Sequence, residues 1–215
     1  MSIRQTPVEP PSAGGSPDAG EPYPAMSRAW STLAILWVVT LFSQLDRQLP
    51  ALLVKPLKEA FTLSDTQYSL LQGYGFALAY TIIGLPLGRL VDKAHRRNLI
   101  VVGILVWSLM TILAAFARSY GMLMATRAGV GIGEAVLAPA AYSIIADYTP
   151  ARRRGRALAA YYVSLAIGSG ASLLIGGLML SRLQTPVALA GLGTLKPWQL
   201  VFFCAPALPE PSWRR

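Results

Sequence analysis

Apolar positions fall into five long blocks separated by short charged clusters. Residues 29–45 carry no charge, and the run continues past Asp46 and Arg47 to Val54 before Lys55. Uncharged runs also cover 66–88, 98–117 and 157–181, while 120–146 is interrupted only by Arg127 and Glu134. About 20 helical residues at 1.5 Å each cross a hydrocarbon core of roughly 30 Å. The blocks therefore predict spanning helices over 29–53, 66–89, 98–117, 121–146 and 156–181. Ser64 with Gln67 three residues on predicts a capping box at the start of the second. Residues 182–197 read as a loop. The last apolar stretch, 197–209, has 13 residues with Pro206 among them, which is too short to span. The pattern gives an all-α membrane bundle over 29–181, followed over 182–215 by an extracytoplasmic loop and an incomplete sixth helix with an aberrant C-terminus. Residues 1–28, rich in Pro, Gly, Ser, Asp and Glu, read as a disordered tail. Their long polar lead does not fit a cleaved signal.

Composition agrees with this pattern. Of the 215 residues 53% are hydrophobic and 13% charged, against roughly 25% charged in soluble domains. The net charge of +9 comes from 19 Lys and Arg over 10 Asp and Glu, and such an excess can signal nucleic acid. Here the basic residues cluster between apolar runs, as membrane topology requires. Arg28, Arg89, Lys93, Arg96, Arg97, Arg152, Arg153, Arg154 and Arg156 fall on one side, and Lys55, Lys58, Arg118, Arg182 and Lys196 on the other. Nine against five places the N-terminus in the cytoplasm. The same residues can touch anionic headgroups at about 1 kcal/mol each, although a topology signal alone accounts for them. No nucleic-acid partner is expected. One cysteine, Cys204, and one histidine, His95, leave no disulfide framework, no metal site and no cofactor. With no nucleophile and base pair in view, the chain does not read as an enzyme.

Four charges lie inside apolar spans: Asp46, Arg47, Arg127 and Glu134. Each costs about 2.5 to 3.5 kcal/mol at the bilayer centre, so they must face a bundle interior or a wet cavity. Arg127 and Glu134 are seven apart, close to two turns, and share a helix face. Counting from the outer ends, Arg127 lies about 9 Å, Asp46 about 12 Å and Glu134 about 20 Å deep. Asp46 and Arg127 are therefore expected to meet, as a structural lock or as part of a site. Glu134 stands alone near the midplane as a candidate proton or substrate group, and Arg47 has the reach to snorkel outward. Gly84, Gly129, Gly131, Gly133, Gly168, Gly176 and Gly177 fit close helix packing. No strand precedes Gly129-Val-Gly131-Ile-Gly133, which argues against a dinucleotide loop.

Gly88-Arg89-Leu90-Val91-Asp92 followed by Arg96-Arg97 resembles the loop signature of the major facilitator superfamily. Arg127-x-x-x-Gly131-x-Gly133 and Asp147-Tyr148-Thr149-Pro150 with Arg152, Arg153 and Arg154 are similar to its helix-four motif and second cytoplasmic loop. Leu45-Asp46-Arg47, Leu63-Ser64-Asp65-Thr66-Gln67, Trp107-Ser108 and Gly129–Ala135 resemble its spinster-like branch, over about 30–180. The resemblance implies the N-terminal half of a proton-coupled secondary carrier working by alternating access. Asp46 and Glu134 would be its acids, Arg127 their partner, and Asp92 with Gly88, Arg96 and Arg97 its cytoplasmic gate. Animal members move sphingolipid or lysolipid species, so an amphipathic or lipid-like organic solute is the expected cargo. Ser172-Leu173 stands where drug antiporters carry Gly-Pro, and a drug or organic-anion carrier is the second alternative. A complete carrier has two six-helix halves. The chain thus reads as a truncated product in a bacterial inner membrane, with partners in the bilayer, protons, a solute and a missing C-terminal half. A non-transporting fragment or accessory half-subunit stays open.

Overall fold

The structure, a computed structural model, describes residues 26–93, 95–182, 187–189 and 193–204. Among them are five helical stretches long and apolar enough to cross a membrane: Ser27–Leu52, Asp65–Gly88, Arg96–Ala115, Tyr120–Tyr148 and Ala151–Arg182. The first is helix α1 (Met26–Leu52), which begins three residues before Ala29 and so takes in the end of the expected tail. A short helix α2 (Val54–Phe61) follows and buries Leu57. The second span is built from α3 (Asp65–Ser69), a π-helical turn (Leu70–Tyr74) and α4 (Gly75–Lys93). The capping box is present: Gln67 N–H donates to Ser64 Oγ, and Ser64 N–H donates to Gln67 Oε1. Helix α5 (Arg96–Ala115) is the third span.

The fourth span departs from one continuous helix. It is split into α6 (Tyr120–Glu134) and α7 (Leu137–Tyr148), with Ala135 and Val136 between them. Pro139 explains the position, because a proline inside a helix removes one N–H and clashes with the carbonyl four residues back, here that of Ala135. The break directly follows Glu134. Helix α8 (Ala151–Arg182) is the fifth span.

Helices α1 and α8 pack along a stripe of one α1 face. Trp37 Nε1 donates to Ala160 O at 2.8 Å, Gln44 Nε2 to Leu165 O at 3.3 Å and Gln48 Nε2 to Ser169 Oγ at 2.9 Å. Steps of seven and four keep these side chains on one side of the helix. Gly168 lies against Gln44 and Leu41, and Gly176 against Leu52, which extends the stripe.

The glycines of α6 serve two neighbours. A Cβ at Gly133 would stand 2.7 Å from Trp107 N and 2.8 Å from Gly103 O of α5. A Cβ at Gly131 would stand 2.6 Å from Phe76 O of α4. Gly129 meets the flexible Met110 side chain. The alternation at 129, 131 and 133 thus lets α4 and α5 both approach α6 at backbone distance. Gly84 makes only an ordinary contact at 3.9 Å, and Gly177 has nothing within 4 Å. Neither position is a close approach: Gly84 meets only the Ala135 side chain, and Gly177 faces open space.

The segment after α8, expected as plain loop, contains a two-stranded antiparallel pair, β1 (Val187–Leu189) and β2 (Gly193–Leu195). An eight-residue helix, α9 (Pro197–Cys204), follows. It buries Trp198, Leu200, Val201 and Phe202, and Gln199 Nε2 donates to Ala115 O at 2.7 Å. The partial sixth helix is therefore anchored at the end of α5. The expected aberrant C-terminus from Ala205 onward lies outside the described residues.

Candidate functional site: a buried four-charge cluster

Asp46, Arg47, Arg127 and Glu134 converge between α1 and α6. Asp46, Arg127 and Glu134 are 5%, 2% and 1% exposed. Their partners differ from those that depth alone predicts. Glu134 does not stand alone: Arg47 Nε donates to its Oε2 at 2.6 Å, and the carboxylate is fully covered while 36% of the Arg47 side chain is exposed. Arg47 does not snorkel to the membrane surface. Its guanidinium lies 4.7 Å from the Phe76 ring centroid and 5.0 Å from that of Tyr80. These two rings stack at 5.5 Å, and the backbone approach allowed by Gly131 brings Phe76 to this place. A cation over two aromatic faces gains about 0.5 to 2 kcal/mol as it loses water.

Arg127 meets Asp46, but through the backbone. Its Nη2 donates to Asp46 O at 3.2 Å. The cause is Pro50, which lies inside α1. Without an N–H, it leaves the carbonyl four residues earlier, that of Asp46, without its helical donor. Tyr68 donates its hydroxyl proton to Pro50 O. The carbonyls of Asp46 and Pro50 are thus each met by a side chain from a neighbouring span.

The Asp46 carboxylate lies beside Thr111 and within the fields of Arg127 and Glu134. Ser43 lies beside Glu134, and the Tyr80 hydroxyl beside Arg47. Arg127 Nε and Nη1, Glu134 Oε1 and the Thr40 and Thr111 hydroxyls have no hydrogen-bond partner among the described residues. Buried polar groups of this kind are costly in a low-dielectric interior unless they are paired.

Sequence reasoning missed the aromatic wall beside the cluster. Tyr142, Tyr161 and Tyr162 pack edge to face or tilted with centroids 5.7 to 6.2 Å apart, and the Tyr142 and Tyr162 hydroxyls lie 3.1 Å from each other. Three tyrosines at 142, 161 and 162 in apolar spans were the available signal.

The expected gate residues fall at one end of the bundle. Arg96 pairs with Asp147, which joins the start of α5 to the end of α7. Arg154 Nη2 donates to Ala146 O at 3.0 Å, at the end of α7. Arg97 and Arg153 also have interaction partners, and Arg152 is exposed. A side chain at Gly88 would meet nothing within 4 Å. The side chain of Asp92 lies outside the described residues. Among the described residues no cluster of His, Cys, Asp and Glu could hold a metal ion.

Comparison with known proteins agrees with this fold. Residues 36–208 match the Major Facilitator Superfamily. The chain is 33% identical over 168 residues to an MFS-type efflux pump of Mycolicibacterium smegmatis, covering 78% of this chain and 39% of that protein. It is 34% identical over 149 residues to protein spinster homolog 1 of Xenopus laevis, covering 68% of this chain and 28% of that one. The crystal structure of a bacterial homolog to the human lysosomal transporter spinster, inward-facing and unoccupied, superposes with a TM-score of 0.78 at 30% identity. It covers 86% of this chain and 41% of that structure. The chain thus spans about two-fifths or less of the relatives it matches. It belongs to the Major Facilitator Superfamily as a multi-pass membrane protein and corresponds to the N-terminal half of the spinster-like fold.

Proposed function

We propose that the chain forms the N-terminal half of a proton-coupled secondary carrier for an amphipathic organic solute, with Glu134 as the coupling acid. The observation that carries this reading is the Arg47 to Glu134 pair, buried at the carboxylate and half-open at the guanidinium. Two carboxylates and two guanidiniums balance in the cluster. A proton taken up by Glu134 leaves one positive charge in excess and weakens its hold on Arg47. Arg47 then offers its charge-assisted donors to an anionic group of the solute. Phe76, Tyr80 and the tyrosine wall offer aromatic faces to the solute's apolar part. Loss of the proton restores the pair, which expels the headgroup and favours the alternate conformation. This exchange of partners supplies the differential affinity that alternation requires. Asp46, whose backbone carbonyl Arg127 meets, is the second carboxylate. The Arg96 to Asp147 pair, with Asp92 in the last turn of α4, forms the gate at the face we assign to the cytoplasm. A bacterial inner membrane fits this assignment.

The likeness to an efflux pump favours export as a second reading of direction, with the same coupling residue. Both are tested in the full-length carrier reconstituted in vesicles, with the pH gradient imposed either way. Glu134→Gln should abolish gradient-driven accumulation of solute while leaving gradient-independent exchange. Unchanged accumulation in the variant would remove Glu134 from the coupling role.

A further inference from the structure

A second polar feature lies away from the four-charge cluster, where α1 and α8 begin side by side. A cavity of about 390 Å³ is lined there by Trp30, Leu33, Tyr148, Thr149, Arg153 and Arg156, among others, and among the described residues no acidic one contributes to its wall. The lining is graded. Leu33, 9% exposed, forms an apolar floor one turn inside the span. Trp30, 59% exposed, and Tyr148 stand at the level where aromatic side chains favour the membrane-water boundary. Arg153 and Arg156 crown the rim. Arg156 is exposed and has no ion-pair partner among the described residues. The first turn of α8, a 32-residue helix, adds the partial positive charge of its dipole.

We propose that this hollow holds the phosphate headgroup of an anionic phospholipid, at the membrane face where α1 and α8 start. The order from apolar floor through aromatic belt to cationic rim matches the order of acyl chain, glycerol and phosphate in a lipid lying along the bundle. A free phosphate would leave the Leu33 and Trp30 part of the cavity without a counterpart. A zwitterionic lipid would offer no net charge to two arginines. A lipid held here touches both α1, which carries Asp46 and Arg47, and α8, which packs along it.

The test is native mass spectrometry of the purified chain in detergent, titrated with phosphatidylglycerol or phosphatidylcholine. Phosphatidylglycerol should be retained in preference, at one tightly held copy per chain. Each arginine removed should weaken retention about fivefold, so Arg153→Gln with Arg156→Gln together should lower it about 25-fold. Arg153→Lys with Arg156→Lys preserves the charge and should keep most of the retention, which separates loss of the site from loss of the fold. Arg182→Gln, at the opposite end of α8, should change nothing. Equal retention of both lipids would overturn the proposal, as would an equal effect of Arg182→Gln. Displacement of phosphatidylglycerol by inorganic phosphate at the same concentration would overturn it too, because that result identifies a free-anion site.

Discussion

Arg127 and Pro50 illustrate how one residue creates the need that another meets. Pro50 removes a helical donor from the Asp46 carbonyl, and the buried Arg127 guanidinium supplies one. A hydrogen bond from a charged group contributes about 1.5 to 3 kcal/mol. If that bond is a main role of Arg127, restoring the helical N–H should reduce the cost of losing it. We expect Arg127→Gln to destabilise the chain in detergent by more in the Pro50 background than in Pro50→Ala, with a coupling of about 1 kcal/mol in a double-mutant cycle. Additive effects, within about 0.5 kcal/mol, would show that the carbonyl contact contributes nothing. At this scale the sequence was legible in part. Counting rise per residue brought Asp46 and Arg127 to similar depth, and the structure does join them. It could not reveal that the guanidinium takes the backbone oxygen, because that follows from a proline four residues on. Nor could it turn Arg47 inward, since rotation around α1 is set by Gly131 and Phe76 on other helices.

Hydropathy alone located the five spans, because a bilayer allows few structures other than apolar helices to cross it. The breaks within them were less legible. The split of span four at Ala135 and Val136 follows from Pro139, yet Pro50 and Pro86 lie inside α1 and α4 without ending those helices. Proline marks a weak point, and neighbouring helices decide whether the chain parts there. Glycine is similar: the pattern named Gly133 and Gly177 alike, but only Gly133 lies against another backbone, and its counterpart Gly103 was overlooked. This difference is measurable. Gly133→Ala forces a Cβ to within 3 Å of the α5 backbone and should cost about 1 to 3 kcal/mol, the usual range for overpacking. Gly177→Ala enters open space within the last two turns of α8 and should be neutral or stabilising by up to about 1 kcal/mol. Thermal unfolding of the two variants in detergent, followed by helical circular dichroism, compares them. A more harmful Gly177→Ala would contradict the packing described.

For the molecule as a whole, the decisive property is which side of the bundle remains uncovered. Arg47 is 36% exposed although its partner Glu134 is enclosed, so the cluster opens on one side. On the second span, Tyr74, Leu78, Ile82 and Leu85 are 54% to 76% exposed, and on α8, Tyr162, Leu173, Leu174 and Leu178 are 48% to 72% exposed. Some of these side chains face lipid, as those of any span do. A site that must be reached from either side of a membrane in turn needs a second wall that can rock against the first, and five spans with an anchored sixth helix supply one wall. The chain by itself should therefore show no saturable, gradient-driven flux in proteoliposomes, even when fully helical. Co-reconstitution with the C-terminal half of a spinster-like relative should restore flux if the missing wall is all that separates the chain from a carrier. The restored flux should depend on Glu134, so that the Glu134→Gln chain mixed with the same half stays silent. Gradient-driven flux from the chain alone would instead mean that copies of this half pair with each other, and cross-linking through a cysteine placed at Leu78 would then trap the pair.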